Sequence, residues 1–229
     1  EKIAQKGQPS AKTYLISVMA ILVGVSGFLV IERNQDWENN TTLYLADVET
    51  VPNSLRAQNA AATALVNKAD EALDSMQQVA YLQQGLAHLQ KAKEIYPDFA
   101  DVYLNEGTIY YRLGDYEMAE AAWEQARQRF PNHPNFHEYD DLLSQVYFQK
   151  GLNVGQEQDY TKAVYYLEKA VRYDQRNVDK WYNLAGAYFM ARQFEKARTA
   201  FETTLQLQPG HEQAQQGLQA VLQVLEQNQ

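Results

Sequence analysis

Seven pairs of small or apolar residues stand 34 positions apart in this chain. Pro97 and Pro131, Gly85 and Ala119, Leu89 and Trp123, and Ala92 and Ala126 share that spacing, as do Ala163 and Ala197, Leu167 and Phe201, and Ala170 and Thr204. A fixed period of this length marks a repeated supersecondary unit, and it outweighs every other signal in the sequence. Within Val178 to Pro209, Trp181, Leu184, Ala185 and Tyr188 recur at helical spacing, and Ala197, Phe201 and Thr204 do so again before a proline. Two amphipathic helices closed by a residue that cannot continue a helix make a helical hairpin. A lone hairpin leaves its apolar face in water, so the units must stack.

The order Trp, Leu, Ala, Tyr, Ala, Phe, Thr, Pro in that unit resembles the tetratricopeptide repeat. Tyr103, Gly107, Tyr110, Ala119, Trp123, Ala126 and Pro131 repeat the pattern, with Glu106 where an apolar residue is usual. The resemblance implies an all-α superhelix with a concave groove, made of about four repeats. Two repeats are interrupted. In one, a first helix around Asn59 to Ala64 finds its partner only near Gln77, and the gap around Lys68 to Ser75 is expected either to lengthen the turn or to extend both helices. In the other, between Pro131 and Gln175, a first helix is expected near His137 to Phe148 and ten extra residues near Gly151 to Asp159. Ala214, Leu218, Val221, Leu222 and Leu225 form one stripe of a final capping helix.

Ahead of the repeats, Tyr14 to Ile31 holds eighteen residues without a charge. Eighteen helical residues span about 27 Å, close to the hydrocarbon core of a bilayer. The segment is apolar all round, and Glu32, Arg33 and Asn34 follow it in place of a small-residue cleavage site. A single transmembrane helix is therefore expected over residues 14–31. Lys2, Lys6 and Lys12 precede it and Glu32, Asp36 and Glu38 follow, which by the positive-inside tendency puts the repeats outside the cytoplasm, the periplasm in a bacterium. The division expected is residues 1–32 for the flank and membrane helix, 33–52 for a juxtamembrane half-repeat ending at Pro52, and 53–229 for the repeat domain.

The stretch Arg33-Asn34-Gln35-Asp36-Trp37, then Thr42-Leu43, Asp47-Val48 and Pro52-Asn53-Ser54 up to Asn59, also resembles the segment after the last membrane helix of polytopic, repeat-bearing membrane proteins related to protein O-mannosyltransferases. A chain beginning at Glu1 fits the C-terminal part of such a protein. The resemblance then implies that the catalytic carboxylates of that family lie upstream of this sequence.

Chemistry of its own is not expected here. Cysteine is absent and the formal net charge is −9, which repels phosphate backbones and argues against nucleic acid as a partner. His133 and His137 are four apart, but Pro134 interrupts the helix that would aim them at one metal. No phosphate loop or nucleophile elbow occurs, so the chain is read as non-enzymatic, without cofactor or metal. Its partner is read as protein or peptide, held in the groove. The repeat resemblance maps the groove to first-helix positions: Asn59, Leu104, Asn105, Thr108, Tyr111, Arg112, Tyr182, Asn183 and Phe189, joined by Gly186 and Met190. Gln58, Ala62, Asp140, Asp141, Tyr147 and Phe148 are further candidates. Asn59, Asn105 and Asn183 fall at one repeat position, and a side-chain amide both donates to and accepts from an extended backbone. Asp101 and Asp179 stand where carboxylate-clamping repeats carry cations, so an extended, neutral-to-basic segment is the expected ligand. Two other readings remain: the substrate-recruiting end of a membrane glycosyltransferase, and a structural subunit of a membrane complex.

Overall fold

The computed structural model describes residues 11–227, and among them every regular element is an α-helix. The eleven described helices are α1 (Ala11–Asp36), α2 (Asn40–Thr50), α3 (Leu55–Glu71), α4 (Ser75–Ile95), α5 (Ala100–Arg112), α6 (Tyr116–Arg129), α7 (Phe136–Gln156), α8 (Tyr160–Tyr173), α9 (Val178–Met190), α10 (Phe194–Leu207) and α11 (Glu212–Gln227). The fold is therefore all-α, a run of helical hairpins preceded by one apolar helix, as the period predicts. The helices form two compact bodies, residues 1–113 and residues 114–229.

In the first body, α1 carries the candidate membrane span Ala11–Ile31, which contains the uncharged run from Tyr14 and whose side chains are all exposed. Lys2 and Lys6, on which the orientation reading partly rests, lie outside the described residues. Helix α2 starts at a reciprocal cap in which the Asn39 side chain accepts from Thr42 N at 3.0 Å and Thr42 Oγ1 accepts from Asn39 N at 3.3 Å. Its Val48 and Leu45 close on Ala57 and Ala61 of α3, the small residues letting the two helices approach. Of the two expectations for Lys68 to Ser75, extension of both helices is the one found: lengthened α3 and α4 absorb the gap, leaving only residues 72–74 as the turn. At their crossing Gly85 faces Ala62, and a Cβ there would stand 2.9 Å from Ile109 Cδ1 of α5.

In the second body, α6 precedes the hairpins α7–α8 and α9–α10, and α11 closes the stack. Here the expected register needs correction. Gly151 is not in an inserted loop: a Cβ on it would meet Leu167 Cγ at 2.6 Å and Ala163 O at 3.4 Å, so it occupies the tight crossing of α7 and α8. Gly151 and Ala163 are twelve apart, as are Ala185 and Ala197 in the next hairpin. The extra residues therefore precede the crossing, as added turns at the start of α7, which has 21 residues against 13 in α9. The capping helix also shifts slightly. Ala214 and Val221 are fully buried and Gly217 admits the Phe201 ring, while Leu222, expected in the stripe, is exposed.

One hydrogen bond recurs through both bodies. Gln58 Nε2 donates to Pro52 O at 2.6 Å, Tyr103 Oη to Pro97 O at 2.8 Å, Trp181 Nε1 to Gln175 O at 2.9 Å and Gln215 Nε2 to Pro209 O at 3.0 Å. Each donor sits in the first turns of the following helix and reaches the carbonyl six residues back, two residues past the end of the preceding helix. The bond satisfies a connecting carbonyl and fixes the bend between successive helices. Trp181, one of these donors, is half-buried, whereas Trp123 is 2% exposed.

Candidate functional site

First helices carry the candidate residues, and each body arranges its own set. In the first body α3 and α5 lie side by side, and Asn105 Nδ2 donates to Asn59 Oδ1 at 2.9 Å. Two of the three asparagines expected at one repeat position thus meet. Arg112, the one cation expected in the groove, is paired with Asp70 of α3. Thr108 Oγ1 donates to Leu104 O in its own helix at 3.0 Å, and Tyr111 is half-buried. Leu104 is 5% exposed and packs as core, so it is not a lining residue; Gln58 and Ala62 are likewise buried.

In the second body the first helices α7 and α9 border a cavity of about 410 Å³. From α9 come Tyr182, Asn183, Gly186 and Met190; from α7 come Gly151, Gly155 and Gln156. The floor is Ala163 and Leu167 of α8 and Phe201 of α10. Nothing lies within 4 Å of a Cβ built on Gly186, so the absence of a side chain there leaves open space. Asn183 commits one amide hydrogen to Asp179 O at 2.7 Å. The Tyr182 ring lies 4.8 Å from the His211 ring and 6.1 Å from that of Phe201, which fixes its plane. Phe189 is not in this lining; it meets Phe194 edge-to-face at 5.7 Å.

Polar contacts beneath the cavity hold α7 and α9 together. Lys180 is 6% exposed, and its Nζ donates to Ser144 Oγ at 2.7 Å and to Asp174 Oδ2 at 2.8 Å. Ser144 in turn donates to Ala170 O at 2.7 Å. Burial alone would raise the Asp174 carboxyl, but the Lys180 ammonium holds it below the usual carboxylate range. A second network joins α6, α7 and α8 at Glu120, which is 8% exposed. It accepts from Tyr147 Oη at 2.6 Å and Tyr173 Oη at 2.7 Å, and from Lys169. Tyr147 is thus a fully buried structural residue, not a groove residue, and burial with the neighbouring carboxylate pushes its phenol well above the usual value. Asp140 is also taken up structurally, by Arg127 at 2.6 Å. His137 lies 3.3 Å from Asp141, and His133 Nδ1 accepts from Asn135 N at 3.2 Å.

Gly155, Gln156 and Tyr160 line the cavity and were missed by sequence reasoning, because the register of α7 was misread. The equal spacing of Gly151–Ala163 and Ala185–Ala197 was the signal that identifies them.

Family profiles agree with this geometry. The tetratricopeptide repeat profile matches residues 156–222, and a second of the same description matches residues 100–133. These segments are tetratricopeptide repeats. Most of the cavity's lining lies in the longer of them, and repeats of this kind stack into surfaces for protein–protein interaction. Among curated proteins, the chain is 23% identical over 254 residues to the human protein O-mannosyl-transferase TMTC3, covering 93% of this chain and 26% of that protein. It is 28% identical over 128 residues to the BBSome complex member BBS4 homolog of Drosophila melanogaster, covering 55% of this chain and 26% of that protein. The chain spans about a quarter of the length of the curated relatives it matches. Among solved structures, the TPR domain of P58(IPK) aligns with a TM-score of 0.41 at 15% identity, over 98% of this chain and 72% of that one.

Proposed function

We propose that this chain is a membrane-tethered interaction module whose α7–α9 face holds an extended, neutral-to-basic polypeptide outside the cytoplasm. The observation that carries the reading is the cavity bordered by Tyr182, Asn183, Gly186 and Met190. It combines an apolar floor with a ring and an amide at its rim, the mixture that small recognition sites use for affinity and orientation. Asn183 retains a carbonyl oxygen and an amide hydrogen with which to pair one peptide unit of a ligand. Tyr182 offers a ring held in place by His211 and Phe201. In the first body Asn59 and Asn105 already satisfy one another in part, and with Thr108 and Tyr111 they make a second, weaker contact surface. Helix α1 supplies the tether, its 21-residue segment Ala11–Ile31 having a mean hydropathy of 2.5.

A second reading has its own support. The similarity to protein O-mannosyl-transferase TMTC3 covers nearly all of this chain and about a quarter of the relative. On that reading the module recruits polypeptide to a glycosyl-transferring membrane portion of the same protein, and the two readings share one groove.

The test is a fluorescence titration of the full chain in detergent or nanodiscs with extended peptides matched in length and differing in charge. Neutral-to-basic peptides bind, and Asn183→Ala weakens them about 5- to 10-fold, the loss of roughly one hydrogen bond. A preference for acidic peptides, or equal binding by a Gly186→Phe variant with its cavity filled, contradicts the proposal.

A further inference from the structure

We propose that the α3–α4 turn rests in the interfacial layer of the bilayer that α1 crosses, with Leu73 and Met76 inserted and Trp37 beside them. This rests on α1 spanning a membrane and goes beyond the peptide-binding reading.

Large apolar side chains outside α1 are mostly covered, so the exposures at this turn stand out. Leu73 is 103% exposed and Met76 80%, with Val79 of the same helix and Trp37 also exposed. Leu73, Met76 and Val79 fall within seven residues at the turn, among the exposed acids Asp70, Glu71 and Asp74, and apolar side chains of this size in water are unfavourable unless something covers them.

The chain path says what covers it. The apolar run of α1 ends at Ile31 and the helix continues to Asp36, so its last turns cover about 7.5 Å, roughly the depth of one headgroup layer. A tight turn, with Trp37 N donating to Asn34 O at 3.2 Å, leads to α2 at Asn40. The beginning of α2 is thereby held within about 10 Å of the end of α1. From there α3 runs antiparallel to α2, the pair locked in register by Val48 and Leu45 against Ala57 and Ala61, so the far end of α3 returns to the level at which α2 begins. Helix α3 has 17 residues and α2 has 11, so α3 overshoots the start of α2 by about 9 Å. That overshoot returns Leu73 and Met76 to the level of the headgroups. Asp74 closes the tip by accepting from Met76 N at 3.1 Å, which directs Leu73 and Met76 outward from the capped helix start.

Charge narrows the lipid class. Asp70, Glu71 and Asp74 surround the tip, Asp70 paired with Arg112 and Lys68 nearby in the chain, so the acids outnumber the cations, anionic headgroups are disfavoured and a zwitterionic surface fits. A tryptophan and aliphatic side chains without a basic cluster are the composition of an interfacial contact driven by apolar burial.

The chain is free of cysteine, so single cysteines can be placed cleanly for labelling. The full chain is reconstituted in phosphatidylcholine vesicles with an environment-sensitive fluorophore at Leu73→Cys, Met76→Cys, Val23→Cys in α1, or Gln90→Cys toward the far end of α4. Quenching by spin-labelled lipid is then measured. The proposal expects quenching at positions 73 and 76 several-fold above that at 90, from shallow-labelled lipid, with 23 quenched by deep-labelled lipid. Quenching at 23 with 73 and 76 no different from 90 overturns the interfacial contact while leaving the membrane helix intact. No quenching at 23 overturns it through its premise. Neither result bears on peptide binding by the α7–α9 face, which the titration reads separately.

Discussion

The Tyr147 hydroxyl donates to Glu120 Oε2 at 2.6 Å, joining α7 to α6 at the point where Tyr173 and Lys169 of α8 reach the same carboxylate. Three helices are thus held by one buried acid. A buried carboxylate is costly unless its lone pairs are filled, and here three side-chain donors fill them. Tyr147→Phe removes one donor and leaves the acid partly unsatisfied. The expected loss is about 1–3 kcal/mol in urea denaturation, with the m-value unchanged. A midpoint equal to that of the wild type would show the bond contributes nothing.

Acid should act through the same group. Burial would raise the Glu120 carboxyl, but hydrogen bonds from Lys169, Tyr147 and Tyr173 outweigh it and hold the folded value below normal. The folded chain therefore releases this proton more readily than the unfolded chain. The stabilisation is fully present above the ordinary carboxylate range and is lost as pH falls through the folded value. Denaturation midpoints followed from about pH 6 down to about pH 2 should fall, and Glu120→Gln should flatten part of that decline. An unchanged acid limb in the variant places the titration elsewhere.

Trp123 stacks on Tyr139 at 4.5 Å with an interplanar angle of 10° and is 2% exposed. Truncation to alanine should cost about 3–5 kcal/mol. Trp181→Ala should cost less, because that ring is half-buried and part of its role is the bond to Gln175 O. Equal costs for the two would argue that burial does not set the energy.

The hairpins were legible because their small residues and rings must recur wherever helices cross. Pro97 and Pro131, or Leu167 and Phe201, record that need directly. Helix length was legible only in part. Extension of α3 and α4 was one of two expected outcomes, but the added turns of α7 extend an amphipathic pattern without a breaker, so the extra residues read as a loop from Gly151 to Asp159. That error placed Tyr147 in the groove and hid Gly155 and Gln156. Leu104 failed for another reason: a residue facing the groove in a regular stack is covered when its neighbour packs closely, and it is core here. The polar clamps, Lys180 to Ser144 above all, involve residues 36 apart and leave no periodic mark.

The corrected register can be checked with two glycines. Gly151→Ala forces a methyl to within 2.6 Å of Leu167 Cγ in a buried crossing and should cost about 1–3 kcal/mol. Gly186→Ala meets nothing within 4 Å and should be neutral, or gain up to about 1 kcal/mol from helix propensity. Thermal denaturation of the two variants decides the matter, and the reverse order would return Gly151 to a loop.

The account stands most directly on what touches Asn183. A photo-reactive residue placed there, and separately at exposed Glu202 on α10, is irradiated in the native membrane and the adducts are mapped by mass spectrometry. The groove reading predicts adducts at position 183 on extended, neutral-to-basic segments of partner chains, competed away by the peptides that bind in titration, with position 202 silent. A single fixed partner captured at 202, with 183 silent, would contradict it and make the chain a structural subunit instead.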